Sequence, residues 1–265
     1  MTEENTKSTG KVTVMGLGHS GMKITNALSG MPEASSWLDI MALDTDKNSL
    51  DSCRLEKKYV IDQKWRNGEG CGGDVINGQR SFSRERNRIR ELIKDSSLLI
   101  VTGGLGGGTA TGGISIIASE ARGCNVPVIF LLSMPFVFEG RVKIKTAEDC
   151  VKEMLPVADV LLCLPNDLLF STIPADSPVE KAFEDADQEI ARSIVGVSEL
   201  MRCNNLLATD FSDLKAVLGK SKSACGIGVG VANEGDGLNR CHLALERMLE
   251  SPFLGGARHL KSADA

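Results

Sequence analysis

Metal-binding side chains are sparse in this sequence: three histidines, and eight cysteines with no Cys-x-x-Cys pair among them. A structural zinc site is therefore disfavoured, and scattered thiols fit a reduced, cytosolic compartment. Basic excess is missing as well. The 30 Lys and Arg face 35 Asp and Glu, a net charge of −5, whereas a nucleic-acid binder usually shows a basic face. No apolar run is long enough to span a bilayer; the longest, VPVIFLLSMPFVF (126–138), is broken by proline. The opening MTEENTKSTG is polar, without the apolar core of a signal peptide or anchor. No internal repeat or low-complexity tract follows. What is there is globular: 42% hydrophobic and 25% charged over 265 residues, enough for a large core in one or two domains.

Short apolar segments alternate with helical patterns along the chain. Strands are predicted over 11–16 (KVTVMG), 38–46 (LDIMALDTD), 97–104 (SLLIVTGG), 126–133 (VPVIFLLS) and 159–165 (DVLLCLP). Helices are predicted over 22–30, 83–94, 111–123 and 140–155, and 62–78 reads as a glycine-rich loop. Such alternation implies an α/β fold with a Rossmann-like parallel sheet covered on both faces. From 178 to 203 the spacing of Val179, Ala182, Phe183, Ala186, Ile190, Ile194, Val197 and Met201 predicts a long helix. Its length would be about 40 Å, with Ser177 as N-cap and Pro178 in the first turn. An acidic loop (TDFSD, 209–213), a short helix, a strand (ACGIGVGVA, 224–232) and a last helix (238–250) complete the reading.

Residues 103–113 read GGLGGGTATGG. A strand enters this tract and an apolar helix leaves it, which disfavours a flexible linker. Strand, glycine loop and helix N-terminus together offer an anion bare amides and a helix dipole, and Thr109 and Thr111 add hydroxyls. Tight structural packing is the competing account. Earlier, GLGHSG (16–21) leaves the first strand, and Asp44 ends the next. That is the dinucleotide fingerprint, so a nicotinamide-dependent oxidoreductase is an alternative. A third glycine loop at 68–73 favours several phosphates gripped from several sides.

The tract GGLGGGTATGG resembles the tubulin signature, and PFVFEGR (135–141), LPNDLL (164–169), AFEDAD (182–187), GVSEL (196–200) and DFSDLKAVL (210–218) resemble FtsZ motifs in the same order. The resemblance runs from about residue 11 to 254. It implies a GTP-binding sheet domain with Mg²⁺ carried by the GTP phosphates, close to Asp44 and Asp46. It implies a first phosphate loop of Gly16, Gly18, His19, Ser20 and Gly21, with Lys23 following. The signature loop would comprise Gly104, Gly106, Gly107, Gly108, Thr109, Ala110 and Thr111, and Cys71, Gly72 and Gly73 would meet the γ-phosphate. Glu139, Lys143 and Asn166 fall where the family contacts sugar or base. Phe183 and Asp187, four apart and so on one helix face, would stack on the purine and accept from guanine's N1–H and amino group. Their bland alternative is a core Phe and a solvated Asp. Asp210 and Asp213 match acids that orient the attacking water for a neighbouring subunit's GTP, although TDFSDL is also a good N-cap box.

The family pattern has glycines at His19, Ser20 and Ala110, asparagines at Lys23, Asp44 and Ala208, and an arginine at Lys143. These departures imply altered affinity and slow turnover. The expected organisation is a disordered tail (1–10), a GTP-binding domain (11–176), a central helix with acidic catalytic loop (177–218) and a truncated second domain (219–265). Two family-based functions follow: a cytoplasmic GTPase that self-associates head-to-tail, with a link to cell division, or a non-polymerising paralogue that holds nucleotide and modulates a full-length FtsZ-type protein.

Overall fold

In a computed structural model the chain is described over residues 11–171, 177–200, 216 and 227–254. Runs of Val, Ile and Leu buried on both sides build the strands: β1 (Val12–Leu17), β2 (Leu38–Asp44), β4 (Leu98–Gly104), β5 (Val128–Met134) and β6 (Val160–Pro165). A three-residue edge strand, β3 (Lys58–Val60), joins them. All pair in parallel, in the order β3-β2-β1-β4-β5-β6. The order reverses direction between β1 and β4. Connections from these two strands therefore leave to opposite faces, opening a crevice at their carboxyl ends.

Alternation along each strand sends side chains to two separate cores. Met15, Leu17, Leu99, Val101 and Phe130 meet Phe82, Ile89, Ile114 and Ile117, which belong to α5 (Val75–Arg84), α6 (Arg86–Ile93) and α7 (Gly108–Gly123). On the other face Val14, Ile100, Ile129 and Leu131 pack with Ile24, Leu28, Ala186, Ile190 and Ile194. Those residues belong to α1 (Gly18–Ser29) and α9 (Val179–Leu200). The short helices α2 (Pro32–Ser35), α3 (Lys47–Asp51) and α4 (Gln63–Arg66), α8 (Arg141–Met154) and α10 (Arg240–Leu249) complete the described elements that the site and its supports use.

Three expectations need correction. The charged segment at 83–94 is not one helix: Glu85 leaves helical geometry (φ −100°, ψ 13°), and α5 begins eight residues earlier than expected, at Val75. Asp74 starts it, its Oδ1 accepting from the amides of Ile76 and Asn77. The stretch 62–78 accordingly holds α4 and the first turn of α5, not loop alone. Finally, residues 227–232 of the expected last strand form no ladder. Gly228 and Gly230 instead lie close against α10, where a Cβ on Gly230 would sit 1.9 Å from the Ala244 carbonyl oxygen. The acids Asp210 and Asp213, together with Ala208, lie outside the described residues.

Candidate functional site

A cavity of about 720 Å³ opens at the carboxyl rim of the sheet, in the crevice between β1 and β4. One wall is made of backbone. Helix α7 starts at Gly108 behind Gly107, and no side chain caps its first turn. Helix α1 starts at Gly18, likewise uncapped. The first amides of a helix have no acceptor within it, so two sets of free N–H groups, each at a positive dipole end, border one cavity. Around Gly107, Gly72 and Gly73 the space a Cβ would take is empty to 4 Å, and the two loop glycines hold φ of +61° and +77°. Gly108 is closed off behind, where a Cβ would press to 2.8 Å from Cys71 and Asp74.

Between these loops lies a polar cluster. The Thr109 hydroxyl donates to Asp44 Oδ1 at 3.1 Å and is 2.8 Å from the Thr45 hydroxyl, which is itself 3.1 Å from Cys71 Sγ. Asp44 is 3% exposed. Burial pushes its carboxyl above the usual range, against donations from the Asp46 amide, Thr109, the Thr45 amide and Ser49. His19 Nδ1 lies 2.9 Å from Ser49 Oγ. Burial and the Lys23 charge hold this imidazole below its ordinary value, with Asp44 and Asp46 pulling the other way.

The far end is less polar and more exacting. Phe183 stands perpendicular to Phe136 and Phe138, at centroid distances of 5.2 and 6.0 Å. Asp187, one turn on, is 9% exposed and accepts no hydrogen bond from a described residue. Burial pushes its carboxyl up to about 7, with Lys23 opposing and Glu184 adding to the rise. Asn166 is also buried, and its Oδ1 has no partner. Both groups line the cavity. Buried polar atoms without partners are costly, and a ligand carrying donors would satisfy them.

A family model described as Tubulin/FtsZ family, GTPase domain, matches residues 11–174. The chain belongs to the tubulin/FtsZ family. It is 32% identical over 244 residues to the cell division protein FtsZ 1 of Methanocaldococcus jannaschii, covering 92% of this chain and 65% of that protein. It thus spans less than two thirds of the length of this relative. A solved structure of the empty FtsZ dimer from M. jannaschii matches with a TM-score of 0.81 and 30% identity, over 94% of this chain and 71% of that one. CetZ2 from Haloferax volcanii, solved as a GTPγS-bound protofilament, is similar in fold at TM-score 0.73 and 23% identity, over 91% and 73% of the two chains.

Most of the residues that the FtsZ resemblance singles out converge on the cavity. Gly18, His19, Ser20, Lys23, Cys71, Gly72, Gly73, Gly104, Gly107, Gly108, Thr109, Ala110, Glu139, Lys143, Asn166, Phe183 and Asp187 all line it, as do Asp44 and Asp46. Gly16, Gly21, Gly106 and Thr111 do not. Gly16 and Gly21 let β1 and α1 touch: a Cβ on Gly16 would lie 2.2 Å from the Gly21 carbonyl oxygen. Thr111 is buried, and its hydroxyl accepts from the Gly106 amide at 3.0 Å, shaping the loop from behind. At the end of the same tract a Cβ on Gly113 would meet the Phe82 ring at 2.8 Å. The glycine tract therefore divides between packing and an open rim. Glu139 is already engaged by the Phe136 amide at 2.9 Å and Lys143 at 3.1 Å. Thr45, Ser49, Glu69, Gly70, Ser133 and Pro135 line the cavity without having been singled out. Thr45 had a signal, since it sits between the two acids at the end of β2. Ser49 had none until His19 turned toward it.

Among the described residues no helix is long and apolar enough to cross a membrane.

Proposed function

We propose that this chain binds guanosine triphosphate and diphosphate in the cavity, phosphates on the bare amides of Gly18, Gly107 and Gly108 and base against Phe183 and Asp187. The observation that carries the reading is the pairing of an uncapped glycine rim with a buried Asp187, without a hydrogen-bond partner among the described residues, at the opposite end. Guanine presents two adjacent donors to a carboxylate, whereas adenine presents an acceptor at the corresponding ring nitrogen. A bare N-terminal turn suits the phosphates for the same reason in reverse, because it offers donors alone. Mg²⁺ would be held mainly by phosphate oxygens, with Asp44, Asp46 and Thr109 beside that end, and would offset their charge. Among the described residues no three acidic, His or Cys side chains converge into a cage of their own.

Hydrolysis in this reading is completed by a second copy bound head-to-tail, whose Asp210 and Asp213 orient the water, and the relatives solved as a dimer and a protofilament support self-association. A link to cell division follows from the FtsZ relative. The alternative, a paralogue that holds nucleotide without turning it over, draws support from Ala110 and Lys23, two departures from the family pattern that line the cavity. One experiment separates these. Phosphate release from GTP is followed across a wide range of protein concentrations, with sedimentation in the same tubes. Specific activity that rises with concentration supports catalysis between copies. Activity unchanged to high dilution refutes it, and tight GTP binding without phosphate release favours the alternative.

A further inference from the structure

The two edges of the sheet carry opposite charge. Among the described residues β3 pairs with β2 alone and β6 with β5 alone, so these strands form the edges, about 24 Å apart at the usual strand spacing. Beside β3, residues 63–94 hold eight Lys and Arg against four Asp and Glu. Arg84 ties α5 to Asp62 at 2.9 Å, and Arg88 of α6 donates to the Val60 carbonyl and covers the Tyr59 ring of β3. Around β6, residues 146–185, from α8 to the start of α9, hold nine acids against two lysines. Both lysines are engaged, Lys152 by Asp149 at 3.5 Å and Lys181 by Asp185 at 2.6 Å. Lys64 and Arg80 on one side, and Glu148, Glu153 and Glu180 on the other, are exposed and form no ion pair with a described residue.

Trp65 stands in the basic edge, 65% exposed, with Lys64 Nζ 5.6 Å and the Arg84 guanidinium 5.4 Å from its ring centroid. Trp and Arg are among the side chains that most often dominate an interface. At physiological salt, charges are screened beyond about 8 Å, so the two edges do not neutralise each other within one molecule. Between molecules they can. We propose that copies of this chain pack side by side, the Trp65 edge of one against the α8–β6 edge of the next. Two different surfaces meet, so the contact is heterologous and repeats into an open row. Opposite charge decides which edge faces which and speeds encounter, while like edges repel. The contact runs alongside the strands, whereas the cavity opens at their carboxyl ends, and the inference therefore stands apart from the nucleotide reading.

Charge exchange tests it. One variant reverses the basic edge (Lys64→Glu with Arg80→Glu), and another reverses the acidic edge (Glu148→Lys, Asp149→Lys and Glu153→Lys), all at exposed positions. The whole chain, free of nucleotide, is sedimented in about 0.02 M and about 0.5 M salt, between which the screening length falls from about 20 Å to about 4 Å. The wild type should associate at low salt and come apart at high salt. Each variant should need roughly tenfold or more protein to associate, because the attraction between its edges is lost. Their equimolar mixture should form one-to-one pairs, since the intact acidic edge of the first then meets the intact basic edge of the second. Trp65→Ser should weaken association by a similar factor at an unchanged melting temperature. A wild type that stays monomeric at low salt overturns the proposal, as does a reversed variant that associates like wild type or a mixture that does not pair. Association that needs added GTP and ignores all five charges overturns it too, while leaving the nucleotide reading intact.

Discussion

Asp187 carries a two-sided prediction. Its side chain is 9% exposed, and burial raises its carboxyl from 3.8 to about 7. In the proposed guanine-binding role, accepting from the base's donors requires the ionised form, so the empty protein would have to release this proton before holding the base. With a free-state value about 7, the dissociation constant for GDP should fall about tenfold between pH 6 and pH 8, since each pH unit below the titration point costs a factor of ten. Stability runs the other way. Between 3.8 and about 7 the folded chain holds a proton that the unfolded chain has released, so stability declines as pH rises through that window and the loss is complete above it. The full decline amounts to at most about 4 kcal/mol at 1.4 kcal/mol per pH unit. Asp187→Asn removes the burial cost while keeping the shape. At pH 8 the empty variant should melt higher than wild type, by up to on the order of 10 °C, and the two should converge near pH 4. The variant should also lose its preference for GDP over ADP, and its GDP affinity should lose the Asp187-dependent part of the pH profile. Calorimetric titration and thermal melts across pH 5–8 read both effects, with D187N as the control for titration of the nucleotide's own phosphate and of His19. Identical pH profiles in the two proteins, or a variant that melts no higher at pH 8, would refute the reasoning.

Three further outcomes are expected. Glu120 is 2% exposed and held by Arg90 at 2.7 Å and Arg86 at 3.6 Å, whose own side chains are about half exposed. Replacing both arginines by Met strands a buried carboxylate and should cost about 3 kcal/mol in urea unfolding, whereas Glu120→Gln leaves cations that water can solvate and should cost about 1 kcal/mol; equal losses would contradict this. Gly16→Ala places a methyl 2.2 Å from the Gly21 carbonyl oxygen and 2.7 Å from Thr25, so it should destabilise the fold by about 3 kcal/mol or more by denaturant titration, ahead of any effect on nucleotide. Asp74→Ala removes the cap of α5 and should cost about 1 kcal/mol by the same measurement; helix α5 unaffected in its hydrogen-exchange protection would argue against that role.

Much of the architecture was legible because its signals are local. Five of the six strands read as buried apolar runs, and α9 as a three-to-four spacing of Ala182, Ala186, Ile190 and Ile194, because periodicity encodes which face is buried. The edge strand β3 escaped, since three residues carry no period and pairing with β2 alone makes them a strand. The last predicted strand failed for the converse reason: alternation in GIGVGV cannot make a ladder where the neighbour is a helix, and Gly230 lies against α10. Glu85 broke the charged helix although nothing in its side chain forbids helix.

By itself the sequence determined the α/β alternation, the family, and which residues belong to glycine loops, because sterics and hydrophobic period act over a few residues. Only the tertiary structure decided which glycines hold the framework together and which leave amides open. Gly16, Gly106 and Gly113 are closed by neighbours, while Gly72, Gly73 and Gly107 face empty space. It also decided that Asp187 is buried with no partner among the described residues and that Lys23 shares its pocket. Burial and the lack of a partner depend on which distant segments meet, here α1 and α9 some 160 residues apart in the chain, and no short stretch of sequence contains that information.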